Sequence, residues 1–318
     1  MPPIACGIAL WSQGSSWPAM LAAGRRVDAL GYDHLWTWDH LYAIYGPPDQ
    51  PVFEGWSVVV ALAAATQRTR IGLLVGANTT RNPGLVAKLA ATLDHVSNGR
   101  AILGLGGGWN PVEHLAHGID MGASVGQRLD WLDESTAAIR DLLDGRTVTS
   151  RPGGHYRFNE LRHHPLPVQA HLPILIGGGG EKKTLRTVAR YADLWNVDGT
   201  PEQLAHKVEV LHGHCEAVGR DITQIERSLS ITVTIRDRAT DARRVAGEIL
   251  AHNGTPWSKV EDSPSFLVGS PAQIVDRLGP YIELGFRTLI AEQPAPYDVE
   301  TLERFIADVK PQLAAGSQ

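Results

Sequence analysis

The chain has 318 residues, of which 43% are hydrophobic and 20% charged, so it can bury a sizeable core and disorder is not expected. A net charge of −5 at pH 7, without a basic block, argues against nucleic acid as a partner. No apolar run reaches membrane-spanning length and no signal peptide is indicated. Two cysteines, Cys6 and Cys215, give no disulfide framework, so we expect a cytoplasmic protein without membrane contact.

Short apolar runs alternate with helical periodicity along almost the whole chain. Eight runs are predicted strands: Cys6–Trp11, Leu35–Trp38, Ile71–Val75, Ala101–Leu105, Leu172–Ile176, Leu194–Val197, Ser228–Ile235 and Thr288–Ala291. Helical spacing between them predicts helices, the clearest over Trp56–Ala65, Pro83–Val96, Ser124–Leu143, Pro201–Val218, Ala242–Ala251, Pro271–Leu284 and Val299–Leu313. Eight strands with intervening helices predict a single (β/α)8 TIM barrel with insertion loops over residues 1–318.

Two segments interrupt this alternation. Residues 146–171, which contain Pro152-Gly153-Gly154, are predicted to be an excursion or hairpin, and residues 253–266 an irregular excursion near the barrel. The alternative fold is a doubly wound open sheet, which would carry its glycine fingerprint after the first strand. Here the glycine turns follow the fourth and fifth strands, and this favours the barrel.

Four glycines, Gly177–Gly180, end the apolar run Ile174–Ile176, and a helical pattern follows at once. A strand, a glycine turn and a helix start together place unpaired backbone N–H groups in one small space, which suits a phosphate. A glycine turn without a ligand explains the same run equally well. A second turn, Gly104–Gly108, ends the neighbouring predicted strand. The two turns together favour one long anionic ligand across the barrel mouth over two merely tight turns.

Further polar groups follow strand ends, where barrels place their functional residues. His40 follows the second strand, and there it can exchange a proton, although a purely structural histidine is equally consistent with the sequence. Glu113, His114 and His117 suggest a metal site. Their spacing is not HExxH and no third ligand follows at a persuasive distance, so we expect no metal.

The chain resembles the luciferase-like monooxygenase superfamily, and most closely its branch of coenzyme F420-dependent oxidoreductases. The stretches that carry the resemblance are, in order, Ala29–Leu41, Ile71–Gly76, Arg81–Pro83, Gly99–Asn110 with Glu113 and His114, Ile174–Gly180 and Tyr191–Asn196. The resemblance implies a homodimeric barrel with a deazaflavin at its C-terminal mouth. It also implies a non-proline cis peptide bond near Leu74–Val75, behind the cofactor ring.

The resemblance further implies roles for single residues. His40 would be the catalytic proton carrier, with Asp39 beside it near the cofactor. The other cofactor-binding residues implied are Leu74, Val75, Asn78, Gly106, Gly107, Gly108, Gly177, Gly178, Gly179 and Gly180. Some sugar-phosphate dehydrogenases of the family carry an acid directly after the glycine turn; Trp109 stands there in this chain, which puts that activity in doubt. By position, the expected substrate pocket contains Trp11, Trp38, Trp109, Glu113 and, on a lid, Trp257.

The predicted function is an F420-dependent oxidoreductase that transfers a hydride between the deazaflavin and a small organic substrate. An FMN-dependent luciferase-like monooxygenase is the first alternative, because both use the same fold. A cofactor-binding protein without turnover is the second alternative, and a metal-dependent barrel hydrolase is a distant one. Titration with F420 and with FMN, followed by optical spectra, shows which ring is held and whether either binds.

Overall fold

A computed structural model describes residues 3–315. Its strands are β1 Ala5–Leu10, β2 His34–Thr37, β3 Arg70–Leu73, β4 Gly76–Ala77, β5 Leu103–Gly106, β6 Ile174–Gly177, β7 Leu194–Val197, β8 Glu226–Ile235, β9 Phe266–Gly269 and β10 Phe286–Gln293. Its helices are α1 Trp17–Leu30, α2 Gly55–Ala65, α3 Pro83–Val96, α4 Pro111–Ala116, α5 Val125–Leu143, α6 Thr184–Tyr191, α7 Pro201–Ala217, α8 Ala239–His252, α9 Pro271–Glu283, α10 Val299–Arg304 and α11 Lys310–Ala315. Within this part of the chain, no helix has both the length and the apolar character needed to cross a membrane.

The strands form one parallel sheet in the order β3-β2-β1-β10-β8-β7-β6-β5-β4. A parallel bridge between Ile71 and Ala101 joins the two ends of this path, so the sheet is nearly closed into a cylinder. β3 and β4 share one position in the barrel, and β9 extends the sheet beside the carboxyl end of β8. The architecture is the predicted (β/α)8 barrel, and its eight positions carry the loops that meet at one mouth.

Side chains alternate between two apolar layers, because successive strand residues point to opposite faces of a sheet. On β1, Ile8 and Leu10 pack between the sheet and the helices, whereas Ala9 points into the barrel. The interior cluster consists of Ala9, Trp36, Leu74, Ile102, Leu175, Leu194 and Ile290. The barrel centre is therefore a packed core.

Three of the differences from the predicted elements lie near the barrel mouth; elsewhere, the predicted helix Val299–Leu313 is divided by a π-helical turn over Phe305–Val309. The predicted strand Ile71–Val75 ends at Leu73 because a cis peptide bond joins Leu74 to Val75. The segment between Gly108 and the helix predicted from Ser124, for which no helix was predicted, contains α4, which begins with Pro111 and is capped by the Asn110 side chain. The excursion predicted over residues 253–266 ends in β9, which was too short for periodicity to reveal.

The other excursion forms the predicted hairpin-like arm. Val148 and Leu161 form an antiparallel bridge across residues 146–171, and Tyr156 lies at its buried side. The Tyr156 hydroxyl accepts a hydrogen bond from the Asn78 side chain at 2.9 Å. This contact fixes the arm against the loop that follows β4.

Candidate active site

A cavity of about 590 Å³ opens at the carboxyl ends of the barrel strands. Its wall takes residues from several strands and from the segments that follow them: Trp38, Asp39, His40, Tyr45, Leu74, Val75, Trp109, Glu113, Asn196, Asp198, Ser230, Thr232 and Glu292. Two glycine corners, defined as Gly106–Gly108 and Gly177–Gly180, complete one side of the wall. Most of the predicted site residues are thus brought together in one place.

His40 and Glu113 form a hydrogen-bonded pair in this cavity. The Nδ1 atom of His40 lies 3.1 Å from Oε1 and 3.2 Å from Oε2 of Glu113. The Leu41 N–H also donates to Oε2, at 2.8 Å. Glu113 is reached from α4, the helix that the sequence analysis did not predict, and its carboxylate is almost wholly buried. The fold therefore makes Glu113 a partner of His40.

The charge state of this pair follows from the environment of Glu113. Burial raises the pKa of the Glu113 carboxyl, but the hydrogen bond and charge of His40, together with the Leu41 N–H, outweigh it and hold the pKa below its ordinary value. The ionised carboxylate accepts the Nδ1–H of His40. In a neutral imidazole, this leaves Nε2 unprotonated and able to take a proton.

Asp39 faces the same cavity, and only one of its two carboxylate oxygens is hydrogen-bonded within residues 3–315. Its Oδ2 accepts hydrogen bonds from Arg81 Nη1 at 2.7 Å and from the Ala77 N–H at 3.1 Å. Its Oδ1 is buried without a hydrogen-bond partner among residues 3–315. Burial, only partly opposed by Arg81, raises the pKa of Asp39 to about 6. A buried, unpartnered oxygen on a cavity wall is suited to bind a donor group of a ligand.

The glycines beside Val75 have a steric role that the sequence analysis did not foresee. A Cβ on Gly106 would lie 2.6 Å from Val75 Cγ2, and one on Gly177 would lie 3.0 Å from Val75 Cγ1. Real Cβ atoms do not approach other atoms so closely without displacing them. These two glycines therefore make room for the Val75 side chain, which itself forms part of the cavity wall.

The corner Gly177–Gly180 offers fewer free N–H groups than the sequence suggested. Helix α6 begins only at Thr184, after a turn, and the Gly178 N–H donates to the Asn196 carbonyl at 2.9 Å. Among the described residues, no hydrogen bond engages the N–H of Gly179 or Gly180. Two main-chain donors near a helix start are therefore available to an anion.

Three predicted site residues lie outside the cavity wall. The Asn78 amide bonds Tyr156 and Ser135, because the arm over residues 146–171 covers it. Trp11 is wholly buried behind the wall, where its ring stacks on Tyr45 and packs at a tilt against Trp38.

Trp257 is the third of these residues. It lies in a 3₁₀ turn and packs against Leu250, Val260 and Phe266. From the predicted lid, Ser263 reaches the cavity instead.

Glu292 is one of the titratable cavity residues that the sequence analysis missed; Tyr45 and Asp198 are others. Glu292 stands near the carboxyl end of β10, and its Oε2 accepts a hydrogen bond from Trp11 Nε1 at 2.9 Å. A glutamate that continues the apolar run Leu289-Ile290-Ala291 at a strand end was the available signal, since barrels place functional groups there.

The histidines near α4 are held by neighbouring protein groups. His114 Nε2 lies 2.6 Å from Thr79 Oγ1, and His114 Nδ1 lies 2.6 Å from the Asn110 carbonyl. His117 Nδ1 lies 2.9 Å from the Glu113 carbonyl. Across residues 3–315, no group of three histidine, cysteine, aspartate or glutamate side chains is placed to hold a metal ion.

The fold and the site together define a barrel protein of the luciferase-like kind, with a histidine–carboxylate pair and two glycine corners at one mouth. The chain belongs to the luciferase-like monooxygenase family, whose model matches residues 6–288. An uncharacterized protein of Mycobacterium tuberculosis, Rv0953c, is 34% identical to it over 168 residues, which cover 53% of this chain and 58% of that protein. The chain therefore spans less than two thirds of the length of the curated relatives it matches.

Solved proteins of similar fold are described with different redox cofactors, some with F420 and others with FMN. The F420-dependent tetrahydromethanopterin reductase of Methanopyrus kandleri is 17% identical, with a TM-score of 0.80 over 98% of this chain and 100% of that one. An F420-dependent secondary alcohol dehydrogenase, in complex with an F420–acetone adduct, is 18% identical, with a TM-score of 0.84 over 98% and 99%. The oxygenating constituent of 3,6-diketocamphane monooxygenase from Pseudomonas putida, in complex with FMN, is 17% identical, with a TM-score of 0.76 over 98% and 99%.

Proposed function

We propose that this protein is an F420-dependent oxidoreductase that transfers a hydride between the deazaflavin and a small organic substrate. The observation that carries the proposal is the meeting of the His40–Glu113 pair with both glycine corners in one cavity at the barrel mouth. Two proteins of similar fold are named for their dependence on F420, and a third is bound to FMN. An FMN-dependent monooxygenase is accordingly the alternative that the experiment must separate.

The residues present fit a phosphate-bearing redox cofactor. The N–H groups of Gly179 and Gly180 would hold its phosphate, and the buried Oδ1 of Asp39 would accept a hydrogen bond from its ring. Val75 would support the ring, because its side chain enters the cavity wall where the glycines leave space. When bound, the deazaflavin supplies the carbon centre that gives or receives the hydride.

His40 would manage the proton that accompanies this transfer. The ionised Glu113 carboxylate orients the imidazole through Nδ1, so Nε2 is the atom that exchanges a proton with the substrate. The rings of Trp38 and Trp109 lie edge-on to His40, with centroids 6.0 and 5.4 Å away. These aromatic rings limit the movement of the imidazole and reduce its contact with water.

The decisive experiment titrates the protein with F420 and, separately, with FMN, and follows the optical spectrum of each ring. We expect saturable binding of F420 and a substrate-dependent change in its redox state under nitrogen. Tighter binding of FMN, with turnover that consumes oxygen, would overturn the proposal in favour of the monooxygenase. Binding of either cofactor without any redox change across a broad substrate panel would instead indicate a binding protein.

A matched pair of variants tests the phosphate position. Gly180→Asp places a negative charge beside the free N–H groups, and Gly180→Asn adds a side chain of similar size without the charge. We expect Gly180→Asp to weaken F420 binding at least about tenfold more than Gly180→Asn, because like charges repel in a partly buried site. Equal effects of the two substitutions would show that the phosphate binds elsewhere.

A further inference from the structure

Glu292 reaches the cavity from the last strand of the barrel. Ile290 and Glu292 are two residues apart on β10, so their side chains point the same way: Ile290 into the packed interior and Glu292 into the cavity above it. Trp11 Nε1 donates to Glu292 Oε2 at 2.9 Å and fixes the carboxylate. Oε1 has no hydrogen bond to any other described residue, so it is available to a ligand.

The position of β10 in the ring places Glu292 away from the proposed cofactor site. Counting around the barrel from β10 through β8, β7 and β6, the strand β5 is four positions away, on the opposite side of an eight-position ring. The corner Gly106–Gly108 follows β5 and therefore faces Glu292 across the mouth. If the cofactor lies along Val75 and the two glycine corners, Glu292 stands on the side left to the substrate.

The charges of the cavity wall favour a cationic substrate. Within the described residues, the wall contains neither lysine nor arginine, and its carboxylates are Asp39, Glu113, Asp198 and Glu292. Asp39 is paired with Arg81, and Glu113 with His40. Across residues 3–315, no lysine, arginine or histidine forms an ion pair with Asp198 or Glu292, so the wall beside these two residues is locally negative. A carboxylate or phosphate on the substrate would be repelled here, whereas an ammonium group would be attracted.

Aromatic rings stand next to the Glu292 carboxylate. Trp38 and Tyr45 line the cavity, and Trp11 packs behind them with ring centroids 4.4 Å from each. An aromatic face attracts a desolvated organic cation, and a neighbouring carboxylate strengthens that preference. The same wall would attract a neutral alcohol much less strongly.

We propose that Glu292 is a substrate-binding residue and that it selects small organic molecules that carry an ammonium group. The free Oε1 accepts a hydrogen bond from the ammonium, while Trp38 and Tyr45 contact its alkyl or aryl part. This inference rests on the function proposed above, because it assumes that the cofactor occupies the opposite side of the mouth. It concerns recognition of the substrate and leaves the reacting carbon undefined.

The protonation state of Glu292 makes the proposed ammonium binding depend on pH. The groups facing its carboxyl are Trp11 directly after β1, His40 after β2, Tyr45 from the following loop and Asp198 after β7. Burial raises the pKa of Glu292 to about 7; the Trp11 hydrogen bond and His40 oppose this effect, and Asp198 adds to it. The ionised fraction then rises about tenfold between pH 6 and pH 8, and ammonium binding should strengthen with it.

Three probes of similar size test the proposal: benzylamine, benzyl alcohol and benzoate. Calorimetry on the F420-loaded protein at pH 8 is expected to show benzylamine binding at least tenfold more tightly than benzyl alcohol, with benzoate the weakest. In Glu292→Gln, whose amide oxygen can still accept the Trp11 N–H, the advantage of benzylamine and its increase with pH should disappear. Asp198→Asn is the matched control and should retain most of that advantage.

Two outcomes would overturn the proposal. One is unchanged benzylamine preference in Glu292→Gln, and the other is tightest binding of benzoate by the wild-type protein. Titration of Glu292→Gln with F420 keeps this result separate from the proposed function, since we expect its F420 affinity to match that of the wild type. If the wild type binds no F420 at all, the proposed function fails, and the same three probes on the cofactor-free protein still test Glu292.

Discussion

At the scale of single residues, the chemistry of the barrel mouth depends on which nitrogen of His40 is engaged by protein. Glu113 binds Nδ1, and its pKa is held below the ordinary value because His40 and the Leu41 N–H oppose the effect of burial. The carboxylate therefore stays ionised at neutral pH and fixes both the orientation and the tautomer of the imidazole. Glu113 acts through His40, so it is a positioning residue, whereas His40 would contact the substrate.

This division of roles predicts different losses of turnover in variants of His40 and of Glu113. His40→Asn should lower turnover by about 10²-fold or more, because it removes the proton carrier. Glu113→Gln should lower turnover by about tenfold, and Glu113→Asp should recover part of that loss by restoring the charge. The F420 affinity of all three should stay within about twofold of wild type. Steady-state kinetics and spectral titration measure these values, with the exposed Glu261→Gln as control. Parallel loss of turnover and F420 affinity would contradict the proton role.

The candidate site shows what can be predicted at this scale. His40 and Glu113 can each be singled out as polar residues near strand ends, but 73 residues separate them and no local pattern indicates their contact. Asn78 follows a strand end in the same way, yet its amide bonds Tyr156 from a distant arm. The partner of a side chain is set by tertiary packing, which residue type and spacing do not determine.

At the scale of elements, the break between β3 and β4 organises one side of the mouth. Val75 enters the space beside β5 and β6, where Gly106 and Gly177 lack the side chains that would collide with it. The strands β3, β5 and β6 were predictable from their apolar runs. The fit of Val75 against two glycines was not, because it depends on three strands meeting in space. The only sequence signal for helix α4 was Asn110-Pro111, a helix cap followed by a proline at the first helical position. The helix is only six residues long, so periodicity could not reveal it.

The packing of Val75 predicts a specific rescue. In Gly106→Ala, the new Cβ would collide with Val75 Cγ2, so we expect a loss of about 1–3 kcal/mol in the free energy of unfolding and weaker F420 binding. The double variant Gly106→Ala/Val75→Ala should recover most of the stability, because the smaller side chain relieves the collision. Urea unfolding and F420 titration measure both effects.

Gly213→Ala is the control for this rescue. Gly213 lies in α7 with open space around its Cβ position, so alanine there should be neutral or stabilise by about 0.5–1 kcal/mol. Strictly additive effects of the Gly106 and Val75 substitutions would show that the two residues do not compete for the same space.

At the scale of the whole molecule, a packed barrel supports a mouth that holds buried carboxyl groups. The closed sheet and its helices follow from repeated local patterns, and for that reason the sequence analysis predicts them well. The mouth departs from those patterns: the buried Oδ1 of Asp39 has no hydrogen-bond partner in the described part of the chain, and burial raises the pKa of Glu292 beside Trp11. Such groups lower the stability of the ligand-free fold when they are ionised, and a function that uses them compensates for that cost.

The loss of folding free energy caused by ionised Glu292 can be measured through the dependence of stability on pH. Burial raises its pKa from 4.5 to about 7 in the folded protein, so between these values the folded state binds more protons than the unfolded state. Stability must then fall as pH rises through this window, by roughly 3 kcal/mol in total, since one pKa unit corresponds to about 1.4 kcal/mol. The side chain introduced by Glu292→Gln cannot ionise, so the stability of this variant should not show that decrease.

The thermal unfolding midpoint of Glu292→Gln should therefore equal that of the wild type at pH 4.5. By pH 8 it should lie several degrees above the wild-type midpoint. Differential scanning calorimetry of both proteins across this range measures the change, with the exposed Glu261→Gln as a control that should show no such trend. Saturating benzylamine at pH 8 should reduce the difference, because an ammonium bound to Glu292 stabilises the ionised wild-type carboxylate and not the amide. A difference that is constant between pH 4.5 and pH 8 would mean that the Glu292 carboxyl is well solvated, and it would remove the physical basis for its role in recognising a cation.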